Sequence, residues 1–138
     1  MVSRRQGRKF VPLPVAGDIV WCAFPEIVGI RGAKKRPALV VRVSPATHEV
    51  AVVYGTTQKT DQLYPSEIAL DPSDAGFATS GLAYRTKFDL SQIVQLPFDS
   101  VWFGPAPGRA TNAPPPKMGT LHPSCFAAMH AALKTIKR

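Results

Sequence analysis

The chain has 138 residues, 45% of them apolar and 19% charged, which leaves room for one domain with a small core and excludes disorder over the whole length. Its formal charge of +8 is unevenly spread, with +7 on residues 1–42, −4 on residues 43–99 and +5 on residues 100–138, a field that suits a polyanionic partner. No apolar run approaches the roughly 20 residues that a membrane helix requires, no apolar leader follows the basic start, and Cys22 and Cys125 lack metal-like spacing, so we expect a cytoplasmic protein with reduced thiols, no membrane partner and no metal.

Residues 1–16 join a basic cluster (Arg4, Arg5, Arg8, Lys9) to Pro12 and Pro14, a composition that predicts a flexible basic arm contributing charge and little core. A single domain is expected over 17–138. The runs 18–24, 37–43 and 49–54 are short, β-branched and bounded by Gly, Pro or polar clusters, and each predicts a strand. Between the first two, residues 25–36 hold two glycines and four basic groups and read as a long ligand-facing loop. A polar loop after Gln58, a strand at 66–70, a turn at 71–76 and a strand pair within 82–96 follow. Half of the 14 prolines fall between Pro97 and Pro123, so 103–117 reads as an exposed Pro-rich loop. Phe126, Met129, Leu133 and Ile136 recur at helical steps and predict one amphipathic helix over about 123–137, packed on the sheet. Strands with one terminal helix predict a mainly β fold, a small antiparallel barrel.

The sequence carries no phosphate-cradling Gly-Lys-Ser/Thr, GxSxG or HExxH motif, and nothing brings two of His48, His122 and His130 together. The strongest local pattern is Lys34-Lys35-Arg36-Pro37 at the entrance of a buried strand, where a guanidinium could meet a phosphate bidentately. Trp21 and Phe24 read as core residues, Tyr84 as a base-stacking candidate, and Trp102 and Phe103 as a cap on the barrel or a partner contact.

Taken in order, GDIVWCAF, KKRPALVV, VYGTTQ and GLAYRTKFDLSQI resemble the PemK/MazF family of toxins from type II toxin–antitoxin systems. The resemblance covers about residues 17–97 and resumes at 117–137. It implies an SH3-like barrel, a homodimer, and a metal-independent, sequence-selective endoribonuclease (an mRNA interferase) that cleaves single-stranded RNA without a cofactor. Arg36 matches the family's catalytic arginine before proline and Thr56 the threonine beside it, while Asp18 is expected to be structural. Asp89 stands where a proton acceptor is wanted. Arg31, Lys34, Lys35, Thr57, Gln58, Tyr84, Arg85, Thr86 and Lys87 are the candidate RNA contacts. The implied partners are single-stranded RNA, a cognate antitoxin whose acidic tail would cover the basic groove, and operator DNA only in complex with that antitoxin. The first loop departs from the family pattern, with VGIRGAKK (28–35) in place of Gly-Ser-Glu-Gln. That departure leaves a second reading, a non-catalytic SH3-like module that binds nucleic acid or a protein.

Overall fold

The computed structural model describes residues 7–24, 34–106 and 116–136. The three apolar runs become the frame of one sheet: β1 (Asp18–Phe24), β2 (Lys34–Ser44) and β3 (Glu49–Thr56). They pair antiparallel, with Ile19 opposite Leu39 and Leu39 opposite Val53. Shorter strands complete it: β4 (Glu67–Leu70), β5 (Thr86–Asp89), β6 (Val94–Pro97) and β7 (Lys117–Thr120). The order is β4-β5-β3-β2-β1-β7, and β6 also pairs with β3. β3 is therefore shared, its first half taking β6 through Glu49–Val52 and its end taking β5 through Gly55 and Thr56. Two neighbours on one strand curl the sheet into an antiparallel half-barrel. The mainly β fold with a C-terminal helix is as the sequence predicts.

Both faces of the central strands are covered, which is why β1–β3 read as unbroken apolar runs rather than as alternation. Ile19, Leu39, Val53, Phe88 and Leu90 pack on one face, against Met129 and Ala132 of α2 (Phe126–Lys134). Val20, Cys22, Ala38, Val40, Val50 and Val52 pack on the other, with Leu96, Phe98 and Phe103. Burial pushes the Cys22 thiol up to about 12, so it stays protonated and inert.

Four expectations change. The free arm does not extend to residue 16. Residues 7–16 lie on the second face, where Phe10 and Leu13 cover the core, the Phe10 N–H donates to the Phe98 carbonyl at 3.1 Å, and His48 Nε2 lies 2.9 Å from the Phe10 carbonyl. Apolar Phe10 and Leu13 outweigh the composition that suggested an arm. The loop predicted over 25–36 gives up its last three residues to β2, and 25–33 lie outside the described residues. Pro37 is tolerated inside β2 because β3 pairs with it only from Ala38 onward, which leaves Pro37 flanked by β1 alone. The Pro-rich loop ends one residue early, in a fully buried Pro116, and β7 begins at Lys117; residues 107–115 lie outside the described residues. Finally, Pro123–Cys125 form a 3-10 turn ahead of α2, whose buried stripe is Met129 and Ala132, while Phe126 is exposed. A four-residue helix, α1 (Phe77–Ser80), follows the predicted turn, and Gly81 ends it in the left-handed region at φ 75°.

At the start of β1, the Val15 N–H donates to Asp18 Oδ2 and Lys117 Nζ lies 3.4 Å from Oδ1. Asp18 thereby ties the entry segment and β7 to β1, the structural role expected of it. No helix among the described residues is long and apolar enough to cross a membrane.

Candidate functional site

The register of β2 fixes Arg36. It lies opposite Cys22 on β1, and its guanidinium carbon sits 4.7 Å from the centre of the Tyr54 ring. Tyr54 is opposite Ala38, so a cross-strand diagonal delivers the aromatic face to the cation. Arg36 is half-buried. Stacking restricts the planar fork while its edge stays available for oxygen acceptors, the arrangement in which arginine recognises phosphate most effectively.

Thr56 is two residues beyond Tyr54 on β3, so the two share a face of the strand. Thr56 Oγ1 accepts the Gln58 N–H at 3.1 Å, which turns the chain out of the sheet and leaves the hydroxyl hydrogen to be donated elsewhere. Tyr54, Thr56 and Gln58 line a cavity of about 260 Å³ with Lys59, Glu67, Lys87 and Asp89. Strand alternation explains the set, because Phe88 and Ile68 point into the core and send Lys87, Asp89 and Glu67 to the other side.

The charges in this cavity are held. Lys87 Nζ is 3.3 Å from Glu67 Oε2 and donates to the Gln62 carbonyl at 3.0 Å, and its side chain is 11% exposed against 7% for Glu67. Among the described residues Asp89 accepts three hydrogen bonds, each on Oδ1: from the Ser66 hydroxyl at 2.8 Å, the Ser91 hydroxyl at 2.7 Å and the Ser91 N–H at 3.0 Å. Burial raises its carboxyl, but the Ser91 and Ser66 donors, with the Lys87 charge, outweigh that and hold it below the usual aspartate range.

Arg36, Thr56, Gln58, Lys87 and Asp89 are thus drawn to one region, and other candidates are placed elsewhere. Thr86 is 2% exposed, with its hydroxyl given to the Tyr84 carbonyl, so it is a core residue and not an RNA contact. Lys87 is committed to Glu67 rather than open to a phosphate. Arg85 is a strut: it meets Asp71 at 3.1 Å and the Thr60 carbonyl at 2.9 Å, joining two loops. The Ser73 hydroxyl and N–H, with Arg85, hold the Asp71 carboxyl below its usual range. Thr57 and Tyr84 are exposed and open to a ligand. Lys35 is exposed on the wall of a second groove, where Trp21 is half-buried rather than part of the core. Lys34 begins β2, its side chain outside the description, as is that of Phe24; Arg31 lies outside the described residues.

Glu67 and Lys59 escaped the reading of the sequence. The alternation in Glu67–Leu70 puts Glu67 on the face away from Ile68, but its meeting with Lys87 depends on the β4–β5 register, with Glu67 opposite Asp89 and Ala69 opposite Lys87. Among the described residues, no three of His, Cys, Asp and Glu gather as metal ligands would.

A family model described as PemK-like, MazF-like toxin of type II toxin-antitoxin system matches residues 16–136. Among solved structures, one named "Endoribonuclease from Mycobacterial species" has the same fold, with 20% identity, a TM-score of 0.54, and coverage of 92% of this chain and 93% of that chain. Comparison with curated protein sequences finds no match. The family match runs from just before the Gly17-Asp18 opening, through the Arg36-Pro37 strand and the Thr56 turn, to the end of the terminal helix, and the chain belongs to the PemK-like, MazF-like toxins of type II toxin–antitoxin systems.

Proposed function

We propose that the protein is an endoribonuclease toxin that cleaves single-stranded RNA at selected sequences, without a metal or cofactor, by internal attack of the ribose 2′-hydroxyl. The observation that carries this reading is Arg36 stacked on Tyr54, whose ring lines the same cavity as Thr56, on a chain of this family. Arg36 holds the phosphate and meets the charge that grows on its oxygens as the 2′-oxygen attacks. A guanidinium keeps its charge, so electrostatic stabilisation is its first role and proton donation its second. The Thr56 hydroxyl donates to a phosphate oxygen or orients the ribose. Asp89, with Oδ2 clear of the three bonds on Oδ1, receives the 2′-hydroxyl proton. The products are a 2′,3′-cyclic phosphate and a free 5′-hydroxyl.

In this reading the toxin acts in the cytoplasm as a homodimer and is neutralised by an antitoxin with an acidic tail, and the pair together reaches operator DNA. The test is cleavage of a mixed RNA pool in excess EDTA, with the ends mapped. Cyclic phosphate ends at a recurring short sequence are expected, and Arg36→Ala should slow cleavage about 10²- to 10³-fold with the fold unchanged by circular dichroism. Wild-type protein that binds RNA without cutting it, or an Arg36→Ala variant that cuts like wild type, would replace this reading with that of a binding module.

A further inference from the structure

A second groove, of about 500 Å³, lies where the entry segment meets the chain after β6. Its walls include Phe10, Trp21, Trp102 and Phe103, with Arg8 and Lys35 both exposed, and among the described residues no carboxylate lines it. The chain contains only two tryptophans, and both are here, each half-buried.

The walls are built rather than draped. The Ala23 N–H donates to the Trp102 carbonyl at 2.7 Å and the Gly104 N–H to the Trp21 carbonyl at 3.2 Å, so residues 102–104 extend the sheet beside β1. On the other side the Arg8 N–H donates to the Ser100 hydroxyl at 2.7 Å, and the Ser100 N–H to the Arg8 carbonyl at 2.9 Å. The Arg8 guanidinium lies 5.8 Å from the Phe10 ring centre. Aromatic platforms flanked by exposed cations are what successive bases and phosphates of a single strand require. Lys35 precedes Arg36 on β2, and strand alternation sends the two side chains to opposite faces, so the groove is separate from the candidate site.

We propose that this groove is an accessory subsite for single-stranded RNA. It takes an unstacked base of the strand against Trp21 or Trp102 and the adjoining phosphates on Arg8 and Lys35, at a distance from the cleaved bond. The proposal deepens the nuclease reading and rests on it for the identity of the strand. The charge on the rim selects a polyanion, and the ring walls select one with planar groups between its charges.

Tryptophan fluorescence tests it directly, with a mixed-sequence 2′-O-methyl oligoribonucleotide as a probe that binds but offers no attacking hydroxyl. The oligonucleotide should quench the emission. Arg8→Glu, an exposed position whose contacts to Ser100 are made by the backbone and survive the change, should weaken that quenching about tenfold. Trp102→Ala should weaken binding measured by anisotropy of a dye-labelled oligonucleotide by about tenfold or more; should it fail to fold, Arg8→Glu carries the test. Binding by anisotropy with unchanged tryptophan emission would overturn the subsite and leave the nuclease reading intact. Quenching by a polyglutamate peptide and not by the oligonucleotide would overturn it in favour of an acidic protein partner. Quenching by the oligonucleotide from a protein that cuts no RNA would uphold the subsite while the nuclease reading fails.

Discussion

Lys87 and Glu67 bury opposite charges beside Thr56, and that pair decides what a mutation there measures. Removing one member leaves the other without its partner, so Lys87→Ala should cost about 3 kcal/mol of stability in urea denaturation. A variant with wild-type stability and only weaker RNA binding would show instead that the ammonium serves the ligand. Asp89 gives a pH signature. Its carboxyl is held below the ordinary value of 3.8, so its contribution is complete above that value and is lost as pH falls through the depressed one. The melting temperature should drop on acidification from pH 5 to pH 2.5, and Asp89→Asn should flatten that limb. A limb of unchanged slope in the variant would assign the acid sensitivity to other carboxylates. The motif around Arg36 and Pro37 was legible in the sequence because proline marks the strand and arginine stands beside it. The segment from Arg85 to Lys87 was misread as a run of polar contacts. Phe88 must face the core, so alternation sends Thr86 inward with it, and only the register of β5 against β4 gives Lys87 its acidic neighbour.

The first element of the molecule is a docked segment. Phe10 packs on Phe98 with ring centres 5.7 Å apart, and the Lys9 backbone pairs with Asp99 in an isolated antiparallel β-bridge. Phe10→Ala should therefore lower stability by about 2 kcal/mol, less than a fully buried phenylalanine would. Deleting residues 1–14 should destabilise the protein in the same melt, the reverse of what a purely electrostatic arm predicts. Gly81 makes a second element-level test. A Cβ there would meet the Met118 carbonyl oxygen of β7, at a positive φ that other residues adopt at a cost. Gly81→Ala should cost upward of about 1 kcal/mol and loosen α1 from β7, read as faster amide exchange at Met118 and Thr120. The strands β1–β3 could be read from composition because burial on both faces makes them continuous apolar runs. β7 could not: four residues after a proline cluster carry no periodicity, and their place in the sheet is set by pairing with Asp18, Ile19 and Val20.

At the scale of the molecule, the fold joins the first basic segment of the sequence to the last. β1 pairs with β7, and Cys22 pairs with Phe103 in an isolated antiparallel β-bridge, so described strands of residues 1–42 and 100–138 adjoin. Affinity for single-stranded RNA should fall steeply with salt, linearly on a log–log plot; a flat line would remove the polyanion reading. Sedimentation should give twice the chain mass, and a monomer at micromolar concentration would count against a groove built from two copies. The strand β3 has a further consequence, for the order in which the structure can come apart. It is bonded to β2 along most of its length and to β6 and β5 at its two ends, the β6 and β5 partners lying 31 to 48 positions away in the chain. No peripheral opening frees it, so the amides of Val50–Val53 should exchange with deuterium only through global unfolding. Because Tyr54 and Thr56 ride on that same strand, loss of cleavage in denaturant should coincide with loss of the whole sheet, and a partly melted form of the toxin would have no working site.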